Sequence, residues 1–329
     1  MSLSLDPHQY TLKESVSCCG VGLHSGRTVN LSIKPASINS GIRFFRTDMP
    51  TSTALPAHMD KIVDTRLATT LGNDHFKIST TEHLMAALHG FGIDNADVEI
   101  DATEVPIMDG SAGPFFKMLR DSGKRKQNGF RKVLRITKPI SYIDGDKHIS
   151  ISPYEGLKVT GEICFDDTVI KTQKYTFDFF SDQFGDEIAQ ARTFGYVEEV
   201  EELWANGLAL GGSLANVIAI HWNRKSVLNE DGLRYKDEFI RHKVLDLVGD
   251  LALLGGPVLG HVQAYKAGHA QHFGLMQAIV ASPGSWEMFE MNTDGRFSAL
   301  ENIVNFSRPA SKSLFPTFHS NSLPVGSLA

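Results

Sequence analysis

The sequence is poor in cysteine and has no long hydrophobic run. Its 329 residues include three cysteines, two of them adjacent (Cys18 and Cys19), so neither a disulfide framework nor a Cys-x-x-Cys pair is present. Such sparse use of cysteine is typical of a reducing compartment. The first residues lack a basic start followed by an apolar core, and no run of 18 apolar residues occurs. We therefore expect no signal peptide, no membrane span and a cytoplasmic protein.

An excess of basic charge is also missing. The chain carries 32 Lys and Arg against 38 Asp and Glu, a formal net charge of -6, which argues against a general nucleic-acid binder. Hydrophobic residues make up 42%, which is enough for buried cores. The length favours two domains, and we expect a monomer. No partner beyond a small molecule is indicated.

A charged, glycine-containing stretch without apolar periodicity spans residues 121–129 and predicts the domain boundary. Each half consists of several predicted strands followed by two predicted helices, which indicates two similar α+β domains. The predicted division is an N-terminal domain over residues 1–125 and a C-terminal domain over residues 130–300. A tail rich in Ser and Pro, residues 305–329, is predicted to be loose.

The longest helical pattern covers residues 237–256, DEFIRHKVLDLVGDLALLGG. Its apolar stripe recurs at i, i+4, i+7, i+11 and i+14 and consists of Ile240, Val244, Leu247, Leu251 and Leu254. A second apolar side, formed by Leu245, Val248 and Ala252, predicts that neighbours cover this helix from more than one direction. Further on, Gly268 and His269 are predicted to form a turn before a helix over residues 273–281.

A polar face of the same helix carries His242, Asp246 and Asp250, each one turn from the next. An imidazole and a carboxylate at this spacing can reach one metal ion. A hydrogen-bonded polar seam, or a His–Asp pair facing solvent, explains the spacing equally well. A catalytic metal site normally has three protein ligands, so another element would have to supply the third.

A second, shorter helix is predicted over residues 79–90. Ser79 and Glu82 have the spacing of a capping box, and Gly90 stands at the C-terminal end. Glu82 could therefore be only a cap and His83 an ordinary helical histidine. If His83 instead bound a metal, Glu82 would point about 100° away and could reach a water molecule beside that metal.

Together these patterns resemble the UDP-3-O-acyl-N-acetylglucosamine deacetylases, metal-dependent enzymes of lipid A synthesis in Gram-negative bacteria. The resemblance covers about residues 8–300, and long blocks in a fixed order carry it. These blocks are GVGLHSG (20–26), TTEHLMAALHGFGIDNADVEID (80–101), VPIMDGSAGPF (105–115), ARTFG (191–195), LNEDGLRYKDEFIRHKVLDLVGDLALLG (228–255) and AYKAGHA (264–270).

The resemblance implies a site as well as a fold, with helices sandwiched between two outer sheets. It implies that His83, His242 and Asp246 bind Zn²⁺, although imidazole and carboxylate ligands suit Fe²⁺ equally. It also implies that Glu82 is the general base. The other implied roles are a cationic histidine, His269; its carboxylate partner, Asp250; an oxyanion donor, Thr193; and a lysine near polar substrate groups, Lys243.

The implied substrate is UDP-3-O-acyl-GlcNAc. Its acyl chain would follow a hydrophobic passage after the ARTFG motif, and the candidates are Phe194, Leu203, Trp204, Leu208, Ala209 and Leu210, all of which could equally be ordinary core residues. The aromatic ring expected near the uracil is Phe165. Asp167 and Thr168 follow where the family has histidine and proline, a departure that bears on how the nucleotide is held.

Two other functions compete with this interpretation. The first is a zinc-dependent deacylase of the same fold that acts on a different acylated sugar, and the segment around Phe165 is the feature that would discriminate. The second is a non-enzymatic relative that only binds sugar nucleotides. The joint presence of Glu82, His83 and His269 argues against it, because binding alone does not require a base beside a metal.

Overall fold

The computed structural model describes residues 6–49, 53–166, 169–179, 183–291 and 297–299, and over these it has mixed α and β content. The helices are α1 (Glu82–Phe91), α2 (Gly113–Ser122), α3 (Phe184–Glu187), α4 (Val200–Ala205), α5 (Glu238–Leu251) and α6 (His269–Val280). The first strands are β1 (His8–Leu12), β2 (Val16–Val21), β3 (Thr28–Pro35), β4 (Ile42–Arg46), β5 (Leu55–Pro56), β6 (Ile62–Asp64), β7 (Thr70–Gly72), β8 (Lys77–Ile78), β9 (Ala96–Ile100) and β10 (Lys124–Phe130). The remaining strands are β11 (Lys132–Ile136), β12 (Ile140–Asp144), β13 (Lys147–Ser152), β14 (Leu157–Cys164), β15 (Thr172–Asp178), β16 (Phe194–Tyr196), β17 (Ile218–Ile220), β18 (Val258–Tyr265), β19 (Trp286–Met291) and β20 (Phe297–Ala299).

The N-terminal half is built on a five-stranded sheet in the order β2-β3-β9-β4-β5. Strand β9 pairs antiparallel with β3 and parallel with β4. Alternate residues of β3, Val29, Leu31 and Ile33, are buried, as period-two alternation requires of a sheet with one face on a core. A small three-stranded sheet, β6-β7-β8, leads into α1.

The C-terminal half is built on an eight-stranded sheet organised around β18. Strand β18 pairs antiparallel with β13 and parallel with both β11 and β14. The antiparallel hairpin of β14 and β15 extends this sheet beneath α5, while β12 and β13 lie against α6. Among the described residues, no helix combines the length and the apolar character needed to cross a membrane.

Helices α1, α2, α5 and α6 share one buried core with the two large sheets. Helix α5 contacts α1, α6, β14 and β15, so neighbours cover it on several sides, as its two apolar faces predict. One continuous apolar cluster includes Leu31 of β3, Leu84 of α1, Leu247 of α5 and Val159 of β14. The α+β class expected from the sequence is therefore confirmed. The long helix is also confirmed, and after Leu251 it continues as a 3₁₀ turn.

Two local expectations were wrong or incomplete. Gly268 and His269 do not form a turn, because α6 begins at His269 and Gly268 is its N-cap, with the Gly268 N–H donated to Gln271 Oε1 over 3.0 Å.

The charged stretch before residue 130 contains a strand, β10, which pairs antiparallel with β1. Much of β10 is exposed, which explains the lack of apolar periodicity in this stretch. The domain division at this stretch stays a prediction, and the tail over residues 305–329 lies outside the described residues.

A single glycine sets how closely α1 and α5 approach each other. A Cβ atom on Gly249 of α5 would lie 2.0 Å from the backbone carbonyl oxygen of Glu82, which no real side chain could do. Only glycine permits this contact. Because Glu82 is the first residue of α1, the contact holds the start of α1 directly against the polar face of α5.

We predict that Gly249→Ala destabilises the protein, although alanine is the better helix former by about 1 kcal/mol. Overpacking against the α1 backbone should cost about 1–3 kcal/mol and the helix preference of alanine offsets about 1 kcal/mol of it, so the free energy of unfolding in urea should fall by up to roughly 2 kcal/mol. The control is Gly284→Ala, because a Cβ there meets no atom within 4 Å. A Gly249→Ala protein more stable than the wild type would show that the helices do not need this close contact.

Candidate metal centre and active site

Three potential metal ligands from two helices meet where α1 crosses α5. His83 lies in the first turn of α1, and His242 and Asp246 lie one turn apart on α5. Their ligand atoms all lie within 4.8 Å of one another, and all three side chains are buried. The distance to Asp246 Oδ1 is 3.5 Å from His83 Nε2 and 3.3 Å from His242 Nε2.

The hydrogen bonds around this cluster leave the right atoms free for a cation. His242 Nδ1 donates to the carbonyl oxygen of Ala191 over 3.0 Å, which leaves Nε2 as the ring nitrogen with a lone pair. Burial lowers the pKa of His242 to about 3, so the imidazole is neutral. Asp246 Oδ1 is buried and accepts no hydrogen bond from any described residue, whereas Oδ2 accepts one from Lys243 Nζ over 3.1 Å. A buried carboxylate oxygen without a donor, beside two imidazole nitrogens, fits a divalent cation.

Glu82 lies beside this cluster and does not cap α1. Thr81 occupies the N-cap position without a side-chain cap, and Glu82 is the first helical residue, so the capping-box hypothesis is wrong. Instead, Glu82 Oε2 accepts the backbone N–H of Thr69 over 3.0 Å. Glu82 Oε1 lies 4.0 Å from His269 Nε2. Burial raises the pKa of Glu82, and the neighbouring His269 and His83 oppose that rise.

Asp250 holds His269 from the other side. Its Oδ2 accepts a hydrogen bond from His269 Nδ1 over 2.7 Å, and its Oδ1 accepts one from the Thr69 hydroxyl over 2.6 Å. Burial alone would lower the pKa of His269, but the charge and hydrogen bond of Asp250, together with Glu82, raise it to about 9. His269 is therefore an imidazolium at neutral pH, with Nε2 pointing toward Glu82.

Sequence reasoning missed two residues of this network, Thr69 and His272. His272 is buried on α6, and its Nδ1 donates to Asp250 Oδ2 over 2.7 Å. His269, His272 and Asp250 also bring ligand atoms within 4.8 Å of one another. In this second group, however, both imidazoles are already hydrogen-bonded to one carboxylate oxygen, so it lacks the unpartnered oxygen that marks the first. The signal was the i, i+3 spacing of the histidines, which the predicted turn at His269 concealed.

Thr193 follows Ala191 by two residues in the sequence, and the carbonyl oxygen of Ala191 accepts the hydrogen bond from His242. Its backbone N–H donates to the Gly110 carbonyl over 2.8 Å, and its own carbonyl accepts the Ile218 N–H over 2.8 Å. The side chain is half-buried, and its hydroxyl makes no hydrogen bond to a residue within the described ranges. The role of Thr193 as an oxyanion donor stays a prediction.

The predicted substrate-binding residues lie together. The Phe194 ring contacts Phe165 at a centroid distance of 6.2 Å, and Lys243 Nζ lies 5.5 Å from the centre of the same ring. Phe194 also packs edge-on against the His242 ring, with centroids 6.3 Å apart, so this aromatic group borders the candidate metal centre. Asp167 and Thr168 lie outside the described residues.

Among the candidates for an acyl-chain passage, Phe194 packs against a buried apolar cluster, whereas the residues from 203 onward are not core residues. Trp204 is 54% exposed and Leu210 is 52% exposed. Leu203, Leu208 and Ala209 are half-buried. The segment folds back on the glycine-rich GVGLHSG turn (20–26), because the Leu210 N–H donates to the His24 carbonyl and the Gly211 N–H to the Leu23 carbonyl.

Comparison with known proteins agrees with this geometry. The family model described as LpxC, UDP-3-O-acyl N-acetylglycosamine deacetylase, matches residues 9–281. The chain belongs to this deacetylase family. A UDP-3-O-acyl-N-acetylglucosamine deacetylase of Acidithiobacillus ferrooxidans is 47% identical over 302 residues, which is 91% of this chain and 99% of the relative. Proteins of the same name from Myxococcus xanthus and Syntrophotalea carbinolica are each 47% identical, covering 85% and 86% of this chain and 89% and 91% of theirs.

The deacetylase family match spans the whole candidate site. Residues 9–281 include Thr69 at one end of the network and His272 at the other, together with every candidate ligand. The site brings together a candidate metal-ligand set, the buried carboxylate of Glu82 and the imidazole of His269. Such a cluster of buried ionisable side chains is typical of a functional site.

We predict that His242→Ala lowers metal content most clearly, because it removes one of three ligands without touching Glu82 or His269. Zinc measured by atomic emission on the purified variant should fall well below one equivalent, because the loss of even an outer-shell partner of a ligand costs about 10–100-fold in metal affinity. The matched control is His148→Ala, an exposed histidine on β13. Full zinc retention in folded His242→Ala would remove this residue from the ligand set.

Proposed function

We propose that this chain hydrolyses the N-acetyl amide of UDP-3-O-acyl-N-acetylglucosamine, the committed step of lipid A biosynthesis, and that His83, His242 and Asp246 hold Zn²⁺ for this reaction. The observation that carries the proposal is Asp246 Oδ1, a buried carboxylate oxygen that lacks a hydrogen-bond donor and faces two imidazole nitrogens. Two imidazoles and one carboxylate, with one position left open, are typical ligands of catalytic zinc. Fe²⁺ suits the same ligands.

Zinc at this site would lower the pKa of water toward about 7 and polarise the amide carbonyl. Glu82 then supplies the base. Its Oε2 is fixed by the Thr69 N–H, which leaves Oε1 facing the space between the ligand cluster and His269. Because burial raises the pKa of Glu82, its carboxylate is a stronger base than an exposed glutamate.

His269 supplies the acid. Its Nε2 points toward Glu82, while Nδ1 is held by Asp250, so the charged ring faces the same space as the base. When the tetrahedral centre collapses, the amine departs and takes a proton from His269 Nε2. Before that step the imidazolium charge stabilises the oxyanion, and Thr193 donates a second hydrogen bond to it.

The substrate's two ends would lie on either side of this chemistry. Lys243 is suited to a phosphate and the Phe165 ring to the uracil, and the ring of Phe194, the first residue of the proposed acyl passage, lies next to both. The exposed side chains of Trp204 and Leu210 are suited to the acyl chain. The alternative, a deacylase for a different acylated sugar, differs only in what the Phe165 surface holds.

Mass spectrometry of zinc-loaded protein mixed with UDP-3-O-(3-hydroxyacyl)-GlcNAc tests the activity directly. We expect loss of the acetyl group with the acyl chain retained. The same acylated sugar without uridine diphosphate is the comparison substrate. Equal rates on both would favour the different-sugar alternative, and no acetyl loss from either, in protein that holds one equivalent of metal, would refute the proposal.

We predict that Glu82→Gln lowers kcat by roughly 10²–10⁴-fold, because glutamine cannot accept a proton. Zinc content and the melting temperature should change little, since Gln still accepts the Thr69 N–H through its amide oxygen. Glu99→Gln, a change in the carboxylate that pairs with Lys34, is the control and should keep wild-type turnover. Near-normal turnover by zinc-loaded Glu82→Gln would mean that another group is the base.

We also predict a basic limb in the pH dependence of kcat. His269 must be protonated to donate, and its pKa is raised to about 9, so activity should hold up to that pH and fall as the imidazolium loses its proton above it. In His269→Ala, turnover should be lower and the basic limb should flatten. Steady-state rates between pH 6 and about 10.5 test this. A basic limb that is unchanged in His269→Ala would have another source.

A further inference from the structure

One buried titratable group in the active site has no part in the proposed chemistry. His272 lies one turn beyond His269 on α6 and is 2% exposed. Its Nδ1 lies 2.7 Å from Asp250 Oδ2, the same oxygen, at the same distance, that accepts the His269 Nδ1 hydrogen bond. Because a carboxylate only accepts, each imidazole donates an N–H there. Oδ2 of Asp250 is thus shared between two histidines.

The two imidazoles cannot both be charged without mutual repulsion. Their ring centres are 5.8 Å apart in a buried site. His269 has a second anion nearby, with Glu82 Oε1 of α1 4.0 Å from its Nε2. Besides Asp250, Asp246 on α5 acts on both rings, so it does not discriminate between them. The positive charge therefore belongs on His269, and His272 is the neutral N–H donor.

We propose that His272 is a positioning residue that weakens the hydrogen-bonded ion pair between Asp250 and His269. By donating a second N–H to Oδ2, it draws carboxylate charge away from the His269 hydrogen bond and keeps the imidazolium acidic enough to release its proton to the leaving amine. The inference rests on the proposed function of His269 as the proton donor.

The physical reason is competition at one acceptor. A hydrogen bond donated to a carboxylate stabilises its charged form and lowers its basicity. Oδ1 is already occupied by the Thr69 hydroxyl, so removing the His272 donor leaves more of the Asp250 charge to His269 alone. A carboxylate that binds the imidazolium more strongly raises its pKa and makes it a poorer acid. If His272 were only a packing residue, its removal would let water reach Asp250 and the pKa of His269 would fall. The expected rise is therefore opposite in sign to the effect of lost packing.

Three variants at position 272 separate the effect of the N–H donor from the effect of the side-chain volume. His272→Leu and His272→Phe fill the site without an N–H, and Phe preserves the ring if Leu does not fold. His272→Asn restores an N–H donor near the position of Nδ1. Met276→Leu, a fully buried change on the same helix, is the control for disturbance of α6.

The primary measurement is the pKa of His269 from the ring ¹⁵N and ¹H shifts of the zinc-loaded protein. In His272→Leu and His272→Phe it should rise by about 0.5–1 pH unit, the scale of one neutral hydrogen bond. In His272→Asn and Met276→Leu it should stay close to wild type. No change or a fall in the Leu and Phe variants, or an equal rise in the Asn variant, would overturn the proposal.

The rate profile then connects the shift to catalysis. The basic limb of kcat should move up with the pKa of His269, and kcat at pH 7 should fall about two- to threefold while KM stays constant. If the shift is seen by NMR but the basic limb does not move, the coupling among these side chains stands and His269 is not the proton donor. That result would count against the proposed function, not against the role of His272 in setting the pKa of His269.

Discussion

The active site depends on one close contact between two helices. Glu82 begins α1 at the point where Gly249 of α5 has no side chain, and the backbones of the two helices are in contact there. Every ligand and proton carrier discussed above is within about two turns of that crossing, except those on α6. Because the candidate ligands come from both helices, a change of about an ångström in the helix separation would alter the distances within the candidate metal centre.

Asp250 is the second organising element. It accepts hydrogen bonds from the Thr69 hydroxyl and from two imidazoles, which join the segment before α1, helix α5 and helix α6 at one carboxylate. Burial would raise the pKa of this carboxyl, but the charge and hydrogen bonds of His269, with the hydrogen bond of His272, lower it to about 2. The anion therefore persists in a dry site, and a buried charge with this many donors is a stable arrangement.

Local patterns in the sequence were informative where the contacts are local. The i, i+4 spacing of His242 and Asp246 was enough to place them on one face of a helix, and the bounds of α5 followed from its apolar stripe. The third candidate ligand, His83, could be predicted only through family resemblance, because α1 and α5 are distant in sequence. Thr69 and Asp250 are 181 positions apart, and no periodicity reports such a contact. The monomeric state and the cytoplasmic location stay predictions.

The segment that carries Trp204 and Leu210 is attached to the GVGLHSG turn through main-chain atoms. Leu210 and Gly211 donate their N–H groups to carbonyls of that turn, and a Cβ on Gly211 would lie 2.2 Å from the Gly22 carbonyl oxygen. The attachment thus requires a glycine and a backbone conformation, but no particular side chain at the exposed positions. The apolar side chains proposed to meet the acyl chain could therefore be exchanged while the two halves of the molecule stay joined at the same place.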